Sequence, residues 1–215
     1  MELLGYTITI DELAAIIFLF CFFASLYLRE YARKLEGSIT GKRIRSIYRK
    51  SCIETLLKED KNETLIEILR NGVLVSTALM SAIIISFGFV LAKAPTLESI
   101  LDFLTMFKII AIFALLVYAF LMLLLESRTL VYIPIVFNTS EKLIEKYEGT
   151  NKVIYVSKLL HESFDHFSNA VRAIIFVVIL LTWFYNVYLF ITLTIVLSSL
   201  MVMEDFGKKS TITMF

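Results

Sequence analysis

Chain breakers are scarce, with two prolines and seven glycines in 215 residues. That excludes collagen-like, proline-rich and flexible-linker architectures, and it leaves little material for a phosphate-cradling loop. Two cysteines, Cys21 in an apolar run and Cys52 in a charged segment, read as a small core residue and a free thiol rather than a bridge or a metal pair. Walker loops, G-x-G-x-x-G and nucleophile elbows are missing, so no catalytic residue and no cofactor is expected. Membrane enzymes that do without such motifs keep an enzyme as a third reading. The net charge of +1 gives no basic excess of the kind that recognises nucleic acid, which is not expected as a partner. MELLGYTITIDE carries no basic residue before the first apolar run and no small-residue cleavage site follows it, so the first span is expected to stay in the mature protein. Repeats and low-complexity tracts are also absent, which predicts a single membrane domain over residues 1–215.

What the chain has in quantity is apolar surface: 58% of its residues are hydrophobic and the mean hydropathy is +0.79. An ordinary soluble domain is roughly 45–50% apolar, so this is expected to be an integral membrane protein. Four apolar runs approach the roughly 20 residues that cross about 30 Å of hydrocarbon. They cover about 10–28, 72–92, 103–125 and 173–203, the third interrupted by Lys108. The fourth has 31 residues and would measure about 46 Å as a straight helix, more than one crossing needs. Two forms follow for it: a continuous or kinked helix, or a short hairpin turning near Tyr185-Asn186. In the absence of a Gly or Pro at that point the continuous form is expected.

Basic residues orient the spans. Eleven Lys/Arg fall in 29–70 and six in 126–172, against none in the first twelve residues, one in 93–102 and two in the tail. By the positive-inside rule, segments 29–71 and 126–172 face the cytoplasm, and the N-terminus, Gly5 and Pro95 lie outside a cell membrane. The expected fold is an all-α integral membrane protein with four transmembrane helices, or four and a re-entrant hairpin, over a helical cytoplasmic layer.

The stretch ETLIEILRNGVLVSTALMSAIIISFGFVLA supports that layer. Asp60 and Glu63 have capping-box spacing, Leu65, Ile68, Leu69 and Gly72 continue one helical face, and no breaker intervenes before Gly88. One helix over 61–92 is predicted to start in the cytoplasm and run into the membrane, with Arg70 and Asn71 at the water-lipid boundary. Ala78, Ala82 and Ser86 give it a stripe of small residues on which another helix can approach. Residues 42–57 are amphipathic, with Ile44, Ile47, Tyr48, Ile53, Leu56 and Leu57 beside Arg43, Arg45, Arg49 and Lys50. They lie either on the anionic inner leaflet or on the foot of the second span. Further helical patterns occupy 141–147 and 153–164.

TLIEILRNGVLVSTALMSA, FKIIAIFALLVYAFLMLLLESR with Lys108 and Arg128, and HFSNAVRAIIFVVILLTWF with His166, Arg172 and Trp183 together resemble a family of uncharacterised bacterial, archaeal and plant membrane proteins, domain of unknown function 599. The resemblance covers most of the chain and rests on the order and spacing of short motifs around four spans. Ala170 and Tyr185-Asn186 depart from it, standing where the family pattern has Gly and Gly-Pro. It implies an architecture and carries no activity.

An arginine stands at the expected inner end of each span: Arg29, Arg70, Arg128 and Arg172. Together they make either a ring for anions, lipid phosphates or acidic partners, or ordinary positive-inside anchors, with Glu126 placed to pair with one of them. Lys108, the one formal charge well inside a span, is either a gate or ion site or a side chain that snorkels outward over roughly 7–8 Å. Asn186 is expected to hydrogen-bond between helices. In HESFDH, His161 and His166 are five residues apart, on different helical faces; they are weak metal candidates, and the pairs His161/Asp165 and Glu162/His166 at i,i+4 are the plainer account. A homo-oligomeric channel whose cytoplasmic mouth carries Arg70, Arg128 and Arg172 is the leading expectation. A non-catalytic scaffold or assembly subunit, its arginines anchored on anionic lipid, is the alternative.

Overall fold

The computed structural model describes residues 2–3, 6–7, 9–34, 41–59, 61–93 and 103–206. Gly5, Asp60, Pro95, Lys208 and Lys209 lie outside the described residues, as do the side chains of Arg43, Ile44 and Arg45. A two-residue antiparallel ladder joins β1 (Glu2–Leu3) to β2 (Tyr6–Thr7). Among the described residues seven helices follow: α1 (Ile10–Lys34), α2 (Gly41–Lys58), α3 (Asn62–Lys93), α4 (Phe103–Asn138), α5 (Glu141–Glu148), α6 (Lys152–Thr182) and α7 (Val187–Phe206). Five of them, α1, α3, α4, α6 and α7, are long and apolar enough to cross a membrane. The all-α membrane architecture is therefore as expected, with a fifth such helix where the sequence reading had four runs.

Local chemistry sets the helix ends. Thr9 and Glu12 form a reciprocal capping box: Thr9 N–H donates to Glu12 Oε2 at 2.8 Å and Glu12 N–H to Thr9 Oγ1 at 3.3 Å, satisfying two amides that the first turn of α1 leaves over. Asn151 Oδ1 accepts from Ile154 N–H at 2.9 Å at the start of α6. Gly149 closes α5 at φ 66°, the left-handed conformation that glycine adopts without a Cβ clash. α4 continues thirteen residues beyond the expected 103–125, carrying Pro134 within it, and α3 is the single helix predicted through Arg70-Asn71.

Two compact units divide the chain: Met1–Ile44, Pro95–Ile112 and Ile175–Phe215 in the first, Arg45–Ala94 and Phe113–Ile174 in the second. In the first, α1 packs along α7. Ala14, Phe18, Ser25 and Arg29 are the buried face of α1, and Phe190, Thr194, Ser198, Met201 and Asp205 that of α7. The Phe18 ring lies 5.8 Å from Phe176 and 5.7 Å from Phe190. Those two phenylalanines are fourteen residues apart, about 21 Å in a straight helix, so both reach Phe18 only because the chain doubles back between them.

That reversal corrects the expectation of one continuous helix over 173–203. The last turn of α6 tightens, with Trp183, Phe184 and Tyr185 amides bonding three residues back. Asn186 then accepts from the amides of Tyr188 at 2.8 Å and Leu189 at 3.1 Å, starting α7. A side-chain amide oxygen does here what the sequence reading had required of a Gly or Pro. Trp183 is buried, whereas Tyr185 and Tyr188 are exposed.

In the second unit the charge-rich segments enclose a core of their own, made by Ile53 and Leu56 of α2, Leu65 and Leu69 of α3, Leu130, Ile133, Val136 and Phe137 of α4, Ile144 of α5, and Val156 and Leu160 of α6. α2 thus packs on the foot of α3, one of its two expected places. Gly72 faces Leu130, where an added Cβ would lie 3.0 Å from Cδ1, and Ser76 faces Glu126; four steps along α3 match four back along α4, so the two are antiparallel. Ala78 and Ala82 of the predicted small-residue stripe are exposed, and the buried face of α3 runs through Leu65, Leu69, Ser76 and Ile83 instead.

Candidate functional site

Three polar constellations interrupt the apolar packing. In the first unit, Lys108 near the start of α4 is turned inward, its side chain 12% exposed. Its Nζ lies 3.7 Å from Asp11 Oδ1, 4.4 Å from the centroid of the Trp183 ring and 5.6 Å from that of Phe184. Trp183 Nε1 donates to the same Asp11 oxygen at 2.8 Å, and Phe107 meets the indole edge-on at 6.4 Å. The ammonium is therefore compensated twice, by a carboxylate and by the negative face of an indole. The sequence reading named Lys108 and missed Asp11. A lone cation inside an apolar span requires a counter-charge, and the one acid at the head of the first span beside Glu12 was the available signal.

In the second unit, Arg49 of α2 donates to His161 Nδ1 of α6 at 3.1 Å and covers the Phe164 ring at 4.6 Å. Because a guanidinium only donates, Nδ1 accepts and the imidazole proton sits on Nε2, which lies 3.7 Å from Asp165 Oδ2. The expected His161/Asp165 pair is thus formed, and Arg49 ties it to α2. His166 is half-buried. No three metal-ligand side chains come together among the described residues. Beside α2, an open cleft of about 500 Å³ is lined by Tyr48, Ser51, Cys52, Thr55, Glu59 and Lys61. On the outer face of α2, the hydrogen bond and charge of Lys58 at i+4 hold the exposed Glu54 carboxyl below its ordinary range.

The third constellation joins α3 to α4. Ser76 Oγ contacts both the Gly72 carbonyl oxygen, at 3.1 Å, and Glu126 Oε2. Ser76 is fully buried and Glu126 is 4% exposed. The partner of Glu126 is thus a serine hydroxyl and not an arginine as expected.

The arginines themselves are spread out. Arg70, Asn71 and Arg128 are exposed, on the sides of α3 and α4 away from the buried stripe of each helix. Arg29 is buried and Arg172 half-buried. The break after Thr182 leaves only ten apolar residues, 173–182, beyond Arg172 on α6, about 15 Å of helix and too short to cross. If α6 crosses, the crossing takes in residues upstream and includes Arg172.

Helices of this length and apolarity define an integral membrane protein. The family described as "Protein of unknown function, DUF599" matches residues 13–210, and the chain belongs to it. No curated protein and no solved structure matches the chain.

Proposed function

We propose that this chain is a non-catalytic membrane subunit whose helical layer, cytoplasmic by the positive-inside rule, is a platform for assembly. The observation that carries the reading is the dry core from Ile53 to Leu160, built by five helices and cross-tied by Arg49 and His161. A rigid layer of this kind is what a scaffold needs and a pore does not. Arg70, Asn71 and Arg128, exposed beside it, fit contact with anionic lipid phosphates at the inner leaflet of the cell membrane.

A homo-oligomeric channel remains the second reading, supported by those same exposed arginines. It requires several copies to bring Arg70 and Arg128 round one axis, and Arg172 lining the path within the membrane. Purified protein in lipid nanodiscs and planar bilayers separates the two. The scaffold reading expects no ion conductance and a stoichiometry that changes when a partner binds. An anion-selective conductance that weakens when Arg70, Arg128 or Arg172 is replaced by Gln would overturn it.

A further inference from the structure

Glu126 has one hydrogen-bond partner inside the α3–α4 contact. Ser76 Oγ lies against Glu126 Oε2 and against the Gly72 carbonyl oxygen, and that carbonyl already takes the Ser76 amide as a rung of α3. A serine hydroxyl can give its hydrogen to a carboxylate or accept one from a carboxylic acid. In the first case one neutral hydroxyl is all that stabilises a full buried charge. In the second, Glu126 O–H donates to Ser76 Oγ, whose own hydrogen rests on the second lone pair of the Gly72 carbonyl.

The surroundings weigh the same way. Ser76 is the sole hydrogen-bond partner of Glu126 among the described residues. The residues one turn before and one turn after it on the same face, Leu123 and Leu130, are buried and apolar. Arg128, two residues on, is exposed on another face of α4. A buried charge with no counter-charge and a single neutral hydroxyl beside it is strongly disfavoured, and such groups neutralise instead. We propose that Glu126 is a proton-binding site, held as a neutral carboxylic acid inside the α3–α4 contact. Its ligand is the proton alone. Release of that proton needs water or a cation to enter beside Gly72 and Leu130, so proton occupancy is coupled to how closely the two helices approach. This inference is independent of the assembly role proposed above.

Infrared spectroscopy of the protein in lipid at neutral pH reads the site directly. The parent is expected to show the carbonyl band of a protonated carboxylic acid, shifted in heavy water, that disappears in Glu126→Gln. The same band should move to higher frequency in Ser76→Ala, which removes the acceptor and keeps the acid. A parent spectrum in which Glu126→Gln removes no such band, or in which Ser76→Ala shifts none, overturns the proposal. Should neither variant fold, the parent alone decides: dicyclohexylcarbodiimide adds to a protonated carboxyl, whose oxygen bonds the central carbon while its proton passes to a reagent nitrogen. Mass mapping should find the adduct on the peptide holding Glu126, and an unmodified peptide refutes the site.

Discussion

Trp183 is the single tryptophan of the chain, and its indole nitrogen, ring face and ring edge each have a different partner. Asp11 accepts from the nitrogen, Lys108 sits over the face, Phe107 meets the edge, and Phe190 stacks on the ring at 4.5 Å and 7°. Asp11 and Lys108 act as a unit here, because the carboxylate that takes the indole hydrogen is also the counter-charge of the ammonium. Removing one partner alone leaves the other charge uncompensated, so Lys108→Met and Asp11→Asn should each destabilise the protein. The double variant should lose less than the sum, with a coupling of about 0.5–3 kcal/mol. Thermal or denaturant unfolding in detergent measures the cycle, and Trp183 emission reports the site itself. Lys108→Met should change the emission of the folded protein, whereas additive stabilities with unchanged emission would show that the ammonium is not at the ring. Of this site the sequence disclosed Lys108, through its oddity within an apolar run. Asp11 was hidden because its partners are nearly 100 and more than 170 positions away, and no local pattern records such a pairing.

At the scale of helices, the sequence was most informative where periodicity was long and least so at ends. α3 was readable through Arg70-Asn71 because nothing before Gly88 breaks the pattern. α2, α5 and the first part of α6 were readable from their amphipathic spacing. The hairpin after α6 was legible only as the less favoured of two forms, because the residues on both sides of the turn are equally apolar and its determinant is one asparagine. The apolar surroundings of Asn186 predict an interhelical hydrogen bond; its side chain instead caps α7 through the Tyr188 and Leu189 amides. Asn186→Ala should therefore cost about 0.5–2 kcal/mol, the usual loss of an N-cap, and Asn186→Ser should restore most of it. Unfolding midpoints of the two variants check this. Equal midpoints for Ala and Ser would mean that the cap is not what starts α7. The thirteen residues by which α4 outruns its apolar segment were missed for a related reason: 126–138 carries charge and a proline, and its helix is held by Leu130, Ile133, Val136 and Phe137 in the common core. Tertiary packing supplied what local sequence did not show.

For the whole molecule, the path through the membrane turns on the reversal at 183–186. Asp11 at the head of α1 is hydrogen-bonded to Trp183, so the start of α1 and the α6–α7 turn lie at one level. Tyr185 in that turn is 89% exposed. From there α7 runs twenty residues to Phe206, about 30 Å and enough for one crossing. An odd number of crossings would bring the chain back to the side of its basic segments, where Lys208 and Lys209 also satisfy the positive-inside rule. Single cysteines at Thr9, Asn62, Tyr185 and Glu204, in a background lacking Cys21 and Cys52, test this with an impermeant thiol reagent. Asn62 and Glu204 should label from the cytoplasmic side, Thr9 and Tyr185 from the outside. Labelling of Glu204 from outside would restore four crossings with both ends out. Protection of Tyr185 from both sides, with Glu204 inside, would make the α6–α7 hairpin re-entrant, and Arg172 would then return to the inner boundary where charge alone had placed it.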